Sequence, residues 1–334
     1  MTSSLGKIRT LTPPESAPSS RSPSPPPRAQ AILSHIDHAR APWTSFPLTP
    51  AEFAGFEHAL RGLALKTRFD YSPTDACLTV RMPTALHDLF AFKLTRTIHG
   101  RIKALTGDDK INAAVANIDL DCTSDIYLGD GVLKSPDSAF GFDNTVFPPF
   151  VIEIGYSTKR AALPILAHEY MELSEGHIRT VLTVDIEYRP STTGPRAVYS
   201  LYRYAVGEKD GKEIGVCSTA VKDVAFRQGP ASVPDGVLVL SLVDFCPLGA
   251  LDGVDDIPTI SITHAELDSL LAQAEKRYAE KREPRPLAPR PFPKRKRSET
   301  PVLSSSTEAA EDDDDDDDDD DDWVPRRKMA RQGD

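Results

Sequence analysis

The stretch that decides the fold is residues 147–157, FPPFVIEIGYS, followed by 158–174, TKRAALPILAHEYMELS, and 178–188, IRTVLTVDIEY. Two prolines open a run of alternating and β-branched residues, Phe150 to Ser157, which reads as a strand with one acid, Glu153, inside it. The next segment, from about Thr158 to Ser174, reads as a helix that ends near Gly176. In 178–188, Leu182, Val184, Ile186 and Tyr188 alternate with Thr183, Asp185 and Glu187, the pattern of a half-buried strand. Strand, helix and strand in that order place the segment in an α/β fold.

Working outward, the segment from Thr84, an expected N-cap, carries Leu86, Leu89, Phe90, Phe92, Leu94, Ile98 and Ile102 at mostly helical steps. Strands are expected at Val115–Leu120 and Ser135–Phe140, giving helix, three strands, helix, strand between 84 and 188. Upstream, a short helix follows Pro50, with Phe53, Phe56, Leu60 and Leu63 on one stripe, expected to pack outside the main sheet. LKTRFDY and CLTVRM, joined by Ser-Pro-Thr-Asp, form a hairpin within 66–82. Downstream, strands are expected at 197–204, 216–226 and 237–245, and a helix from Ala265 to about Lys281.

The ends of the 334-residue chain differ in composition from this middle. Residues 1–39 are expected to form a disordered tail rich in proline and serine, residues 40–282 the folded domain, and residues 283–334 a second disordered tail. The second tail holds Lys294-Arg295-Lys296-Arg297, with the form of a nuclear-import signal, and an acidic run from Glu311 to Asp322. That run is an extended polyanion suited to basic proteins, or else a solubilising tail. Removing its twelve negative charges from the total of −11 leaves about +1, so neither acidic nor basic partners are excluded. No signal peptide or membrane-length apolar run is seen, so a soluble, unsecreted protein is expected, nuclear if Lys294–Arg297 acts as an import signal rather than a solvated basic patch, and otherwise cytoplasmic. Cys77, Cys122, Cys217 and Cys246 are widely spaced and form no CxxC pair, which argues against a cysteine-rich zinc cluster and for buried free thiols.

The phrases PDSAF, FPPFVIEIGYS, LAHEY and GHIRTVLTVDIEYR, within residues 80–205, resemble the PD-(D/E)XK nuclease superfamily, chiefly its uncharacterised fungal members and more remotely the Uma2-like endonucleases. The resemblance implies a restriction-endonuclease-like α-β-β-β-α-β core with added strands and a C-terminal helix. It also implies Asp137 and Glu153 as paired ligands of Mg²⁺, phosphodiester hydrolysis as the reaction, and nucleic acid as the partner. Two carboxylates on adjacent strands suit a divalent cation, since without one they repel by roughly 4 kcal/mol at 4 Å and an effective dielectric of 20. Asp88, beside His87, matches the place of an outer metal ligand and reads equally as a first-turn acid on the helix dipole.

The sequence departs from the family pattern at Gly155, where the motif lysine would stand beside the metal. Lys159, with Arg160, is the expected replacement, able to swing back over the strand end; both also read as solvated surface charge. Two alternatives stand beside the nuclease: a catalytically inactive nuclease-fold module that binds nucleic acid or protein, and an interaction protein acting through its acidic tail. His168, Glu169, Asp185 and Glu187 are further polar positions near the cleft, without an assigned role.

Overall fold

The computed structural model describes residues 27–38, 43–61, 68–81, 83–121, 124–156, 161–191, 194–209, 211–229, 231–233 and 235–282. Lys159, Arg160, the basic cluster at 294–297 and the acidic run lie outside the described residues.

In chain order the elements are α1 (Pro27–His38), β1 (Trp43–Pro47), α2 (Pro50–Arg61), β2 (Arg68–Ser72), β3 (Cys77–Arg81), α3 (Ala85–Lys103), α4 (Asp109–Asn117), β4 (Ile118–Leu120), β5 (Ile126–Tyr127), β6 (Leu133–Lys134) and β7 (Ser138–Phe142). There follow β8 (Phe150–Tyr156), α5 (Ala162–Leu173), β9 (Thr180–Ser191), β10 (Gly194–Lys209), β11 (Lys212–Gln228), β12 (Ala231–Ser232), β13 (Val237–Ser241), β14 (Thr259–Thr263) and α6 (His264–Arg282). The class is α/β, as expected.

The main sheet has seven strands in the order β12-β11-β10-β9-β8-β7-β4. β8 and β9 pair in parallel, Glu153 beside Thr183 and Gly155 beside Asp185, and α5 makes the crossover between them. β4, β7 and β8 run antiparallel. Alternation along β8 sends Ile152 and Ile154 to one face, into the core shared with α3, and Val151 to the other, against Leu166, Tyr170 and Met171 of α5. On α3, Leu86, Phe90, Leu94, Ile98 and Ile102 are fully buried, each contributing about 1.5–3 kcal/mol. Thr84 caps this helix by accepting from the His87 amide at 3.3 Å.

A second sheet, β1-β3-β2-β6-β5, has its own core. Phe69, Tyr71, Leu78 and Val80 of its central hairpin pack with Ile32 and Ile36 of α1 and Phe53 and Phe56 of α2. The rings of Phe53 and Tyr71 stack at 3.8 Å.

Several expectations need correction. Residues 27–38, placed in the disordered tail, form α1, because Ala29, Ile32 and Ile36 share a buried stripe. The strand expected at 115–120 is confined to β4, since Asp108 caps a helix that runs on to Asn117. The strand expected at 135–140 is split between β6 and β7, with Ser135, Pro136 and Asp137 outside both. The 237–245 strand stops at Ser241, where Asp244 and Ser241 close a capping box on a 3₁₀ turn. Of the four cysteines Cys246 is buried, and burial pushes its thiol up to about 12, whereas Cys77 and Cys217 are half-buried; Cys122 lies outside the described residues.

Candidate functional site: an acid pair held by arginines

Asp137 and Glu153 face the same cleft. It has a volume of about 280 Å³ and lies between the polar side of the β2–β3 hairpin, the start of α3, the C-terminal half of β8 and the first turns of α5. Both acids are almost wholly buried, at 4% and 1% exposure.

Glu153 reaches the cleft because β8 alternation puts it on the α5 side. There its Oε1 accepts from the Tyr170 hydroxyl at 2.7 Å and its Oε2 from Arg81 Nη1 at 2.9 Å. Asp137 stands in the loop just before β7. Its Oδ2 accepts from the Ile154 amide at 2.6 Å and from His87 Nε2 at 2.9 Å, and its Oδ1 from Arg68 Nη1. His87 Nε2 also meets the Ile154 carbonyl at 3.0 Å. Both neighbours of that nitrogen accept, so it carries hydrogen.

The arginines come from directly opposite positions of the hairpin, since Arg68 pairs with Arg81 across β2 and β3. Like charges so placed repel, and the acids between them remove the penalty. Arg81 Nη1 lies 2.9 Å from Glu153 and 4.0 Å from Asp137, and its Nη2 3.2 Å from Asp70. Arg68 Nη2 lies 3.2 Å from Asp88, which thereby joins the site through a guanidinium. Burial works to lower the Arg81 pKa, but the charges of Asp70 and Glu153 outweigh it and the net shift is upward. Burial lowers that of Arg68, with Asp88 opposing. The Tyr170 hydroxyl is pushed far up, first by burial and then by the charge of Glu153, so it stays a donor.

The loop bearing Asp137 is fastened to the hairpin by Ser135, whose amide donates to Asp70 at 3.2 Å, whose carbonyl accepts from Arg81, and whose hydroxyl meets the Phe69 carbonyl at 2.9 Å. Lys134 and Glu169 close another side of the cleft with an ion pair at 2.6 Å.

Among the residues expected from the sequence, Asp137 and Glu153 come together, Asp88 stands one guanidinium away, and Lys159 lies outside the described residues. Gly155 is a close-packing position. A Cβ there would sit 2.7 Å from Leu163 Cδ1, so a side chain at 155 requires the Leu163 side chain to move. The sequence reading missed Arg68, Asp70, Arg81, Lys134 and Tyr170. The pairing of Arg68 with Arg81, which a hairpin turning at 73–76 dictates, was the available signal.

The arrangement does not fit Mg²⁺ as it stands. That ion takes oxygen ligands at about 2.0–2.1 Å in near-octahedral geometry. Every oxygen of the acid pair already accepts from the protein, and Arg81 Nη1 lies at the point the two carboxylates share. No protein-family model, curated protein or solved structure matches the chain.

Proposed function

We propose that this domain is a PD-(D/E)XK-type nuclease fold in which arginines stand where a catalytic ion would be, and that it binds nucleic acid without cleaving it. The elements α3, β4, β7, β8, α5 and β9 follow in that order, with α4, β5 and β6 inserted between them, and β8 and β9 are parallel, which supports the fold part of this reading. The observation that carries the rest is the saturation of Asp137 and Glu153 by Arg68, Arg81, His87, Tyr170 and the Ile154 amide. A guanidinium neutralises carboxylates but offers no exchangeable water to activate, and position 155 has no amine to assist. The superfamily resemblance supplies the partner class, and Lys294–Arg297 adds positive charge that phosphates attract.

The test uses the full-length chain with labelled single- and double-stranded DNA and RNA in Mg²⁺ or Mn²⁺. Binding that weakens steeply with salt is expected, with no cleavage above that of Glu153→Gln. Metal-dependent cleavage that Glu153→Gln abolishes would refute the silent module. Absence of binding at low salt would refute the partner class.

A second reading, metal-dependent hydrolysis, is favoured by one observation. Two guanidiniums face four carboxylates, Asp70, Asp88, Asp137 and Glu153, and this imbalance would attract a dication if Arg81 withdrew. The cleavage arm of the same experiment decides between the two.

A further inference from the structure

Two consecutive residues of α5 part company. Glu169 turns to Lys134 in the cleft, whereas His168 does not line that cleft and meets the long β10–β11 hairpin instead. Its ring stands edge-on to Tyr202, centroids 6.1 Å apart at 72°. One helical turn on, Glu172 lies on the same stripe, its Oε1 3.9 Å from His168 Nδ1. Cys217 of β11, opposite Tyr204 in register, brings a thiol to the same place. One ligand atom from each of the three residues lies within 4.8 Å of the other two.

The surroundings favour a cation there. The last turn of α5 has no basic residue, so the charge of Glu172 adds to the negative end of the helix dipole.

We propose that His168, Glu172 and Cys217 form a binding site for a divalent transition-metal ion, zinc by ligand type, that straps α5 to the β10–β11 hairpin. Imidazole nitrogen, thiolate sulfur and carboxylate oxygen are a mixed set suited to Zn²⁺ rather than to Mg²⁺ or Ca²⁺. Bond lengths of about 2.0–2.3 Å place tetrahedral ligand atoms roughly 3.3–3.7 Å apart. The present spacings therefore close by small rotations, which the Glu172 side chain, 65% exposed, can make. A water completes the fourth position, as in other sites with three protein ligands. On binding, the Cys217 thiol gives its proton to solvent. The wide cysteine spacing that argues against a cysteine-rich cluster leaves this site untouched, because it takes a single thiol.

Cobalt(II) is the probe, added to the full-length protein. The expected result is binding of one ion with a thiolate-to-metal charge-transfer band, competed away by Zn²⁺. Cys217→Ser should lose the band. His168→Ala and Glu172→Gln should weaken binding at least on the order of 10-fold, since even the outer partners of metal ligands are worth that much. Zn²⁺ should raise the unfolding temperature of the wild type and not that of Cys217→Ser, whose metal-free melt serves as the folding control. The aspartate run at 312–322 binds hard cations without a thiolate band, so the readout excludes it. Absence of the band in the wild type, or its persistence in Cys217→Ser, would overturn the proposal.

Discussion

Replacing Arg81 by alanine tests the logic of the acid cleft directly. Its guanidinium lies 2.9 Å from Glu153 and 3.2 Å from Asp70, and its side chain is only 8% exposed. At an effective dielectric of about 20 each pair attracts by roughly 5 kcal/mol, while removing each buried ion from water costs several kcal/mol in return. The net value of the intact network is therefore small. Deleting the cation alone removes the attraction and leaves the acids buried, a loss of about 3–5 kcal/mol. For a domain of this size that lowers the unfolding temperature by roughly 6–20 °C. Urea and thermal denaturation followed by circular dichroism measure it, with Arg28→Ala as control. Arg28 is 55% exposed and 3.3 Å from Glu52, so its loss should cost under about 1 kcal/mol. Adding Glu153→Gln should restore part of the loss. A deficit below about 1 kcal/mol would refute the view that Arg81 holds the acids in place.

Two further outcomes follow from hydrogen bonds. Tyr170→Phe removes the donor to Glu153 Oε1 and should cost about 1–3 kcal/mol in urea denaturation, with the far-ultraviolet spectrum unchanged. At the start of α6, the Thr263 amide donates to Glu266 Oε2 at 2.8 Å, and this, with the Thr263 hydroxyl and Arg101, holds the Glu266 pKa below its ordinary 4.5. That contribution is present above the ordinary value and is lost as pH falls through the depressed one, so the stability gap between wild type and Glu266→Gln should be widest near neutrality and close in acid.

The order β8, α5, β9 was legible because three signals agree there: two prolines before Phe150, alternation through 178–188, and Gly176 just past α5; the parallel pairing of β8 with β9 came with the structure. The bounds of the short elements were less legible. β6 has two residues, and α4 hides behind Asp108-Asp109, which reads as loop until Ile111, Ala114 and Val115 are seen on one buried side. β14, Thr259–Thr263, alternates clearly yet is short enough to pass for loop. In the cleft, the pairing of Asp137 with Glu153 was expected from the family resemblance alone, and the strand expected to carry Asp137 is split on either side of it. The arginines were not, because the polar side of a hairpin normally faces water, and only the second sheet docking over β8 and α5 turns it inward.

The helix at 27–38 changes how the molecule can be trimmed. A fragment starting at residue 40, the boundary that composition suggests, would strip Ala29, Ile32 and Ile36 from beneath Phe56 and Tyr71 and bare an oily floor. The hairpin resting on that floor presents both guanidiniums. Shortened versions would thus lose their grip on the acids while keeping every residue of the cleft, and an altered activity in such a fragment would report the cut rather than the native protein.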